Sequence, residues 1–360
     1  LKRIMLVVGA RPNFMKVAPL YFELSKHPRT FAPLIVHTGQ HYDRRMSEVF
    51  FEDLGLPQPD VNLEVGSGSH AVQTARIMMA FEKVLEEQRP DLVVVGGDVN
   101  STLACALVAA KLKIKVAHVE AGLRSFDRDM PEEINRVVTD SLSDYLFTTC
   151  EDANQNLRRE GVSQDKIFFV GNLMIDSLLG CYSKISQSEI LERLGLKEKG
   201  YCLLTLHRAS NVDQKDTFCK IMSAMQQVSQ KTKVVFPLHP RTKKKMEEIR
   251  LEDPKLIVTE PLGYLDFLKL ERAAKLVLTD SGGIQEETTF LKVPCLTLRK
   301  NTERPVTITY GTNHLVGLEP EDIAKEVEVL LQNGHRDVPL PPLWDGKASQ
   351  RIVGVFESVL

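Results

Sequence analysis

The sequence predicts an α/β protein made of two doubly wound, Rossmann-like sheets, and three observations carry that reading. Short β-branched runs alternate with helix-length amphipathic stretches along the chain. The runs are continuously apolar instead of alternating, the pattern of parallel strands covered by helices on both faces. The 360 residues are also enough for two domains of ordinary size.

In the first half the strand candidates are Ile4–Val8, Leu34–His37, Leu92–Val95, Val116–Val119, Tyr145–Thr148 and Ile167–Val170. In the second they are Cys202–Leu206, Lys233–Phe236, Leu256–Thr259, Leu276–Leu278 and Cys295–Leu298. Helix-length stretches such as Ala71–Gln88, Lys215–Gln230 and Pro320–Gln332 lie between them. Gly171-Asn172 follows a strand candidate, and the charged, Ser-containing stretch 184–200 reads as a surface connection. These features place the hinge near Gly171, giving domains 1–170 and 171–346. A last helix candidate, 347–360, follows a Pro-rich crossing and is expected to return to the first domain.

Hydrophobic residues make up 43% and charged residues 26%, with a formal net charge of −2. Acid and base are mixed along the chain, so nothing electrostatic calls for a nucleic acid or an anionic membrane as partner. The six cysteines form no Cys-x-x-Cys and lie mostly in apolar segments, as expected of reduced core thiols in a cytoplasmic protein. No apolar run approaches the roughly 18 residues that span a bilayer. Lys2-Arg3 precedes only a short apolar stretch ending at Gly9, a poor signal peptide.

In open α/β sheets ligands bind beyond the carboxyl ends of the strands, and there the unusual residues collect. The strand after Leu276 runs into Asp280-Ser281-Gly282-Gly283 and then a helix with Glu286-Glu287. Free N–H groups at a positive helix terminus suit a phosphate, and the glycines are expected to let it approach the backbone. Asp280 or Ser281 is alternatively a plain N-cap. The first strand runs into Gly9–Lys16, which lacks the second glycine and the Ser/Thr of a Walker A loop but offers Arg11 and Lys16 to a diphosphate.

Asp98, Glu120 and the pair Glu132-Glu133 are the acid/base candidates. Asp98 follows two glycines, which favours an exposed loop over a salt bridge. Glu120 lies between an apolar strand and Ala121-Gly122, a poor place for a charge unless it lines a pocket. His207 and His239 each end a strand near an arginine, Arg208 and Arg241, which suggests anion handling. Gly66–Ala71 matches a loose dinucleotide pattern, but no strong strand precedes it and no acid follows at a strand end, so no nicotinamide cofactor is expected. His37 and His41 straddle a strand end and no Cys/His set has ligand spacing, so no metal is expected either. Two halves carrying such groups at their strand ends would face each other across a cleft.

These motifs together resemble the non-hydrolysing UDP-N-acetylglucosamine 2-epimerases over nearly the whole chain. The matching segments are Gly9-Ala10-Arg11-Pro12 with Lys16, Gly97-Asp98, His118–Arg124, Pro131–Arg136, Gly171-Asn172 with Asp176, His207-Arg208, Asp280–Glu287 and Thr302–Pro305. The resemblance implies a glycosyltransferase-B-like fold, a homodimer in that family's manner, and UDP held mainly by the second domain. By the same carry-over, Arg11, His207 and Ser281 to Gly283 contact the diphosphate, Glu287 the ribose, and the backbone near Phe267 the uracil. Asp98, Glu120 and Glu132 are the implied catalytic carboxylates, with Lys16, Arg136 and Arg304 supporting the sugar or phosphates. The family's usual Glu three residues after the histidine is Ser210 here, which leaves open a substrate such as a 2,3-diacetamido uronic acid. A self-activating branch of the family carries Gln-His-Arg, where this chain has Gln40-His41-Tyr42-Asp43, so strong homotropic activation is not expected.

Overall fold

The computed structural model describes residues 1–40, 51–238, 240–249, 253–333 and 339–360. It divides into two units, Leu1–Gly180 with Pro342–Leu360, and Cys181–Pro341. The first holds β1 (Lys2–Val8), β2 (Phe31–His37), β3 (Val61–Asn62), β4 (Leu92–Gly96), β5 (Lys115–Val119), β6 (Tyr145–Thr148) and β7 (Ile167–Phe169). They form one parallel sheet in the order β3-β2-β1-β4-β5-β6-β7. The second holds β8 (Tyr201–Thr205), β9 (Lys233–Pro237), β10 (Leu256–Thr259), β11 (Leu276–Thr279), β12 (Cys295–Thr297) and β13 (Asn313–Leu315). Its order is β10-β9-β8-β11-β12-β13, again parallel. Strand order reverses at β1/β4 in one unit and at β8/β11 in the other, the places where doubly wound sheets open toward ligands.

The continuous apolar runs are explained by two-sided burial. In the second unit Cys202, Leu204, Val234, Phe236, Leu276 and Leu278 pack under the helices Lys215–Ser229 and Pro320–Asn333. Their neighbours Tyr201, Leu203, Val235 and Val277 point to the opposite face, toward the helix Tyr264–Ala273. Side chains alternate, yet both sets are buried, so the sequence shows no alternation. In the first unit Met5, Val7, Val93 and Val95 pack with Ile77 and Phe81 of the helix His70–Gln88 and with the helix Asn100–Lys111.

The two short strands β3 and β13 were not expected. Each is an edge strand of two or three residues, and a strand paired on one side only needs no apolar run long enough to register as a pattern. The division between units falls after Gly180 instead of at Gly171, inside the helix Leu173–Ile185. The start of that helix is tied to the last one, Ala348–Val359: the Asp176 carboxylate accepts from Ala348 N (3.1 Å), Ser349 N (2.8 Å) and Ser349 Oγ (2.8 Å). Phe356 of the last helix meets Phe147 of β6 edge-on, and Trp344 Nε1 donates to Thr149 O at 2.9 Å. Gly171, at φ 92°, makes the return possible, because a Cβ there would lie 3.0 Å from the Leu343 carbonyl carbon.

Among the described residues no helix is long and apolar enough to cross a membrane. All six cysteines are free thiols, five of them buried.

Candidate active site

In the first unit the expected carboxylates stand at the ends of adjacent strands. Glu120 follows β5 directly in the left-handed region, φ 68°, a conformation that costs a branched or long side chain about 1 kcal/mol or more and marks functional segments. Its carboxylate pairs with Lys16 Nζ, and both groups are buried. Gly97, at φ 67°, leaves room for that pair, since a Cβ would lie 2.7 Å from Lys16 Nζ. Asp98 is ion-paired, contrary to the exposed loop expected: its Oδ2 accepts from Arg136 Nη2 at 2.8 Å and Nε at 3.1 Å. Two glycines set the turn but say nothing of what arrives from a helix 38 residues on.

That helix, Pro131–Leu142, begins with Pro and then Glu132 and Glu133 at its positive end. The two glutamates differ. Glu133 is 2% exposed, accepts from Ser125 N, Ser125 Oγ and Phe126 N at 2.9, 2.8 and 3.0 Å, and pairs with Arg136. It shapes the 125–126 loop. Glu132 is half-buried and makes no hydrogen bond or ion pair with the described residues. Glu133, Arg136 and Asp140 recur at i, i+3 and i+7, one helical face. A helix whose buried face is charged is a signal present in the sequence, and it identifies Asp140, which motif reading had missed. Asn13 was missed as well. Its Oδ1 accepts from Gly9 N and Ala10 N at 3.1 and 2.9 Å while its Nδ2 donates to Gly96 O at 2.8 Å, tying the β1 loop to the end of β4.

In the second unit Asp280 ends β11 fully buried. Neither Asp280 nor Ser281 caps the helix Gly282–Leu291 through its side chain. Asp280 instead accepts from His207 N (3.1 Å), Arg208 N (3.0 Å) and Asn211 Nδ2 (3.2 Å), and faces His207 Nδ1 at 2.7 Å. Burial alone would raise its carboxyl; the His207 ring and the Arg208 backbone outweigh burial and hold it below the ordinary carboxylate range. Glu303, 1% exposed, gathers three arginines: Oε1 meets Arg304 Nη1 at 2.5 Å and Arg208 Nη2 at 3.5 Å, and Oε2 meets Arg299 Nη2 at 2.8 Å. Arg304 Nε also faces Glu286 Oε1 at 3.0 Å.

At Gly282 the space a side chain would need is taken by two residues of the same unit. A Cβ there would lie 2.7 Å from Arg304 Cζ and from Glu303 Oε1, so this glycine admits an arginine and its carboxylate at the helix terminus. Glu287 is buried and accepts from Tyr264 Oη at 2.9 Å, and burial, then Glu287, pushes that phenol well up. The Phe267 side chain lies in the core, which leaves only its backbone to a ligand. The Arg11 side chain, His239 and residues 41–50, with His41, Tyr42 and Asp43, lie outside the described residues. Among the described residues no group of three or more His, Cys, Asp or Glu is arranged to hold a metal ion.

Two parallel doubly wound units, one with carboxylate–cation pairs at its strand ends and one with arginines around a helix N-terminus, each have the strand-end polarity that suits a charged ligand. The sequence profile described as UDP-N-acetylglucosamine 2-epimerase matches residues 23–357. The chain is 47% identical to the UDP-N-acetylglucosamine 2-epimerase of Methanocaldococcus jannaschii over 98% of each chain. The crystal structure of the Methanocaldococcus jannaschii UDP-GlcNAc 2-epimerase in complex with UDP-GlcNAc and UDP matches with a TM-score of 0.93, covering 99% of both chains at 46% identity. The UDP-2,3-diacetamido-2,3-dideoxy-D-glucuronate 2-epimerase of Pseudomonas aeruginosa is 42% identical over 91% of this chain and 92% of its own. The chain belongs to the UDP-N-acetylglucosamine 2-epimerase family, a family of isomerases.

Proposed function

We propose that the protein interconverts UDP-N-acetylglucosamine and UDP-N-acetylmannosamine by eliminating and re-adding UDP. The observation that carries this reading is the pair of carboxylates at neighbouring strand ends, Asp98 held by Arg136 and Glu120 held by Lys16, in a chain of this family. The hydrogen at C2 of the sugar is far too weakly acidic to remove first. The C1–O bond therefore breaks with its electron pair leaving on UDP, and positive charge develops at the anomeric carbon. A carboxylate then takes the C2 proton, and a C1=C2 double bond forms, giving a glycal. UDP re-adds at C1 while a proton reaches C2 from the opposite face, inverting it. Asp98, Glu120 and Glu132 divide the proton transfers. His207, Ser281 to Gly283, Arg304 and Arg11 are assigned to the leaving diphosphate, whose charge they stabilise, and Glu287 to the ribose. No metal or redox cofactor enters.

The substituents at C3 and C6 follow a second reading if they differ, because Ser210 is exposed where the family's usual residue is Glu and because the Pseudomonas relative is named for a diacetamido uronate. We also assign the protein to the cytoplasm on its free thiols, and to a homodimer on the exposed Val72 and Met79, one helical face apart by seven residues; sedimentation in solution checks the latter.

The deciding experiment is incubation with UDP-N-acetylglucosamine in deuterated water, with and without a chelator, followed by proton NMR. Both epimers should appear with the nucleotide attached and deuterium at C2, regardless of chelation. Free N-acetylmannosamine with UDP would establish a hydrolysing enzyme, and turnover only with the diacetamido uronate would move the substrate.

A further inference from the structure

His118 and Asp140 belong to no step above, yet they touch the backbone one residue before Asp98 and two residues after Glu120. The His118 ring is fully buried. Its Nε2 lies 2.8 Å from Gly97 O and its Nδ1 2.6 Å from Asp140 Oδ1. A carbonyl only accepts, so Nε2 must donate to it. The other Asp140 oxygen accepts from Gly122 N at 3.1 Å and meets Arg124 Nη2 at 2.7 Å. Burial alone would raise the Asp140 carboxyl; His118 and Arg124 outweigh it and hold the group low, which keeps it an acceptor on both oxygens.

The pair thus grips residue 97, just before Asp98, and residue 122, two positions after the left-handed Glu120. Nothing in the regular ladder does this: the β4–β5 pairing ends at Gly96 and Val119. Beyond it, Gly97 N still donates to Val119 O at 3.1 Å, and Asn135 Nδ2 donates to Asp98 O at 2.8 Å.

We propose that His118, braced by Asp140, is a positioning residue that fixes Asp98 and Glu120 relative to each other through Gly97 O and Gly122 N. The inference rests on the roles given to those carboxylates above. Its two conservative variants separate the two bonds. In His118→Gln the terminal amide replaces Nε2 and keeps a donor for Gly97 O. In His118→Asn the shorter amide replaces Nδ1 and keeps only the bond to Asp140.

The test measures kcat, KM and UDP affinity for both variants, with thermal melts to confirm folding, and records nitrogen–proton correlations from the His118 ring of the wild-type enzyme. Misplacement of a catalytic group by about an ångström costs about 100-fold; His118→Asn should lose about 10- to 100-fold in kcat, with His118→Gln losing clearly less and UDP affinity unchanged. Equal losses in the two variants, or a folded His118→Asn within about two-fold of wild-type kcat, overturn the proposal. So does a wild-type ring with no proton on Nε2, a reading that needs no variant to fold. Wild-type enzyme that incorporates no deuterium at C2 breaks the underlying assignment instead, and the ring protons report on the clamp regardless.

Discussion

In the first unit the carboxylate is the partner nearer solvent in the Arg136–Asp98 pair, its side chain 25% exposed against 2% for the arginine. In the second unit the order is reversed: His207 is 50% exposed and its partner Asp280 fully buried, and Arg208 is 19% exposed against 1% for Glu303. The same doubly wound sheet therefore presents acids in one place and cations in the other, according to which sign is set deeper. A buried counter-charge fixes the geometry of the outer group and lowers the cost of desolvating it. The Lys16–Glu120 pair, buried on both sides, fits neither pattern and would have to open or hand over its proton during turnover.

The comparison breaks most visibly if a deep anchor is removed. Glu303→Ala leaves Arg208, Arg299 and Arg304 without their shared carboxylate, and losing one partner of a buried ion pair costs about 3–5 kcal/mol. Denaturant unfolding should show that loss, together with weaker UDP binding. Removing the proposed catalytic acids should act differently. Asp98→Asn, Glu120→Gln and Glu132→Gln should each lower turnover by at least about 100-fold, with UDP affinity by calorimetry changed little. Near-normal turnover in all three would dissolve the contrast between the units.

Part of that contrast was legible in the sequence. Eleven strands were placed because two-sided burial leaves long apolar runs, as in Leu92–Val95, and the loaded strand ends Gly97-Asp98, Glu120 and Asp280–Gly283 followed from topology. What was not legible is who pairs with whom. Arg136 reaching Asp98, or Arg304 occupying the space above Gly282, depends on distant segments meeting. Periodicity carries no trace of such meetings. The partial exception is the polar stripe Glu133, Arg136 and Asp140, where charges stand in the positions of an apolar face.

Smaller effects sharpen the comparison. Asp176→Ala removes three acceptor contacts from the start of the last helix, a cap whose loss costs about 1–2 kcal/mol. Thermal melts should show the first unit loosened while the second keeps its UDP affinity. Acid should act on both units alike. Asp140 and Asp280 are held below the ordinary value of 3.8, so the unfolded chain binds more protons as pH falls. Their contribution is complete above about pH 4 and fades as pH drops through their depressed folded values. Asp140→Asn or Asp280→Asn should flatten that acid limb of a stability-against-pH curve, each by part.

The return of residues 342–360 to the first unit also orders events on the ribosome. Residues 181–341 are continuous and are complete in sequence before the segment that carries Trp344 and the Asp176-capped helix has been made. The unit that begins first is therefore the one that finishes last. Its sheet must wait with the surface meant for Phe356 uncovered, and the second unit can close in the meantime. A chain released after residue 341 should hold a protease-resistant second unit attached to a first unit that is still open to digestion.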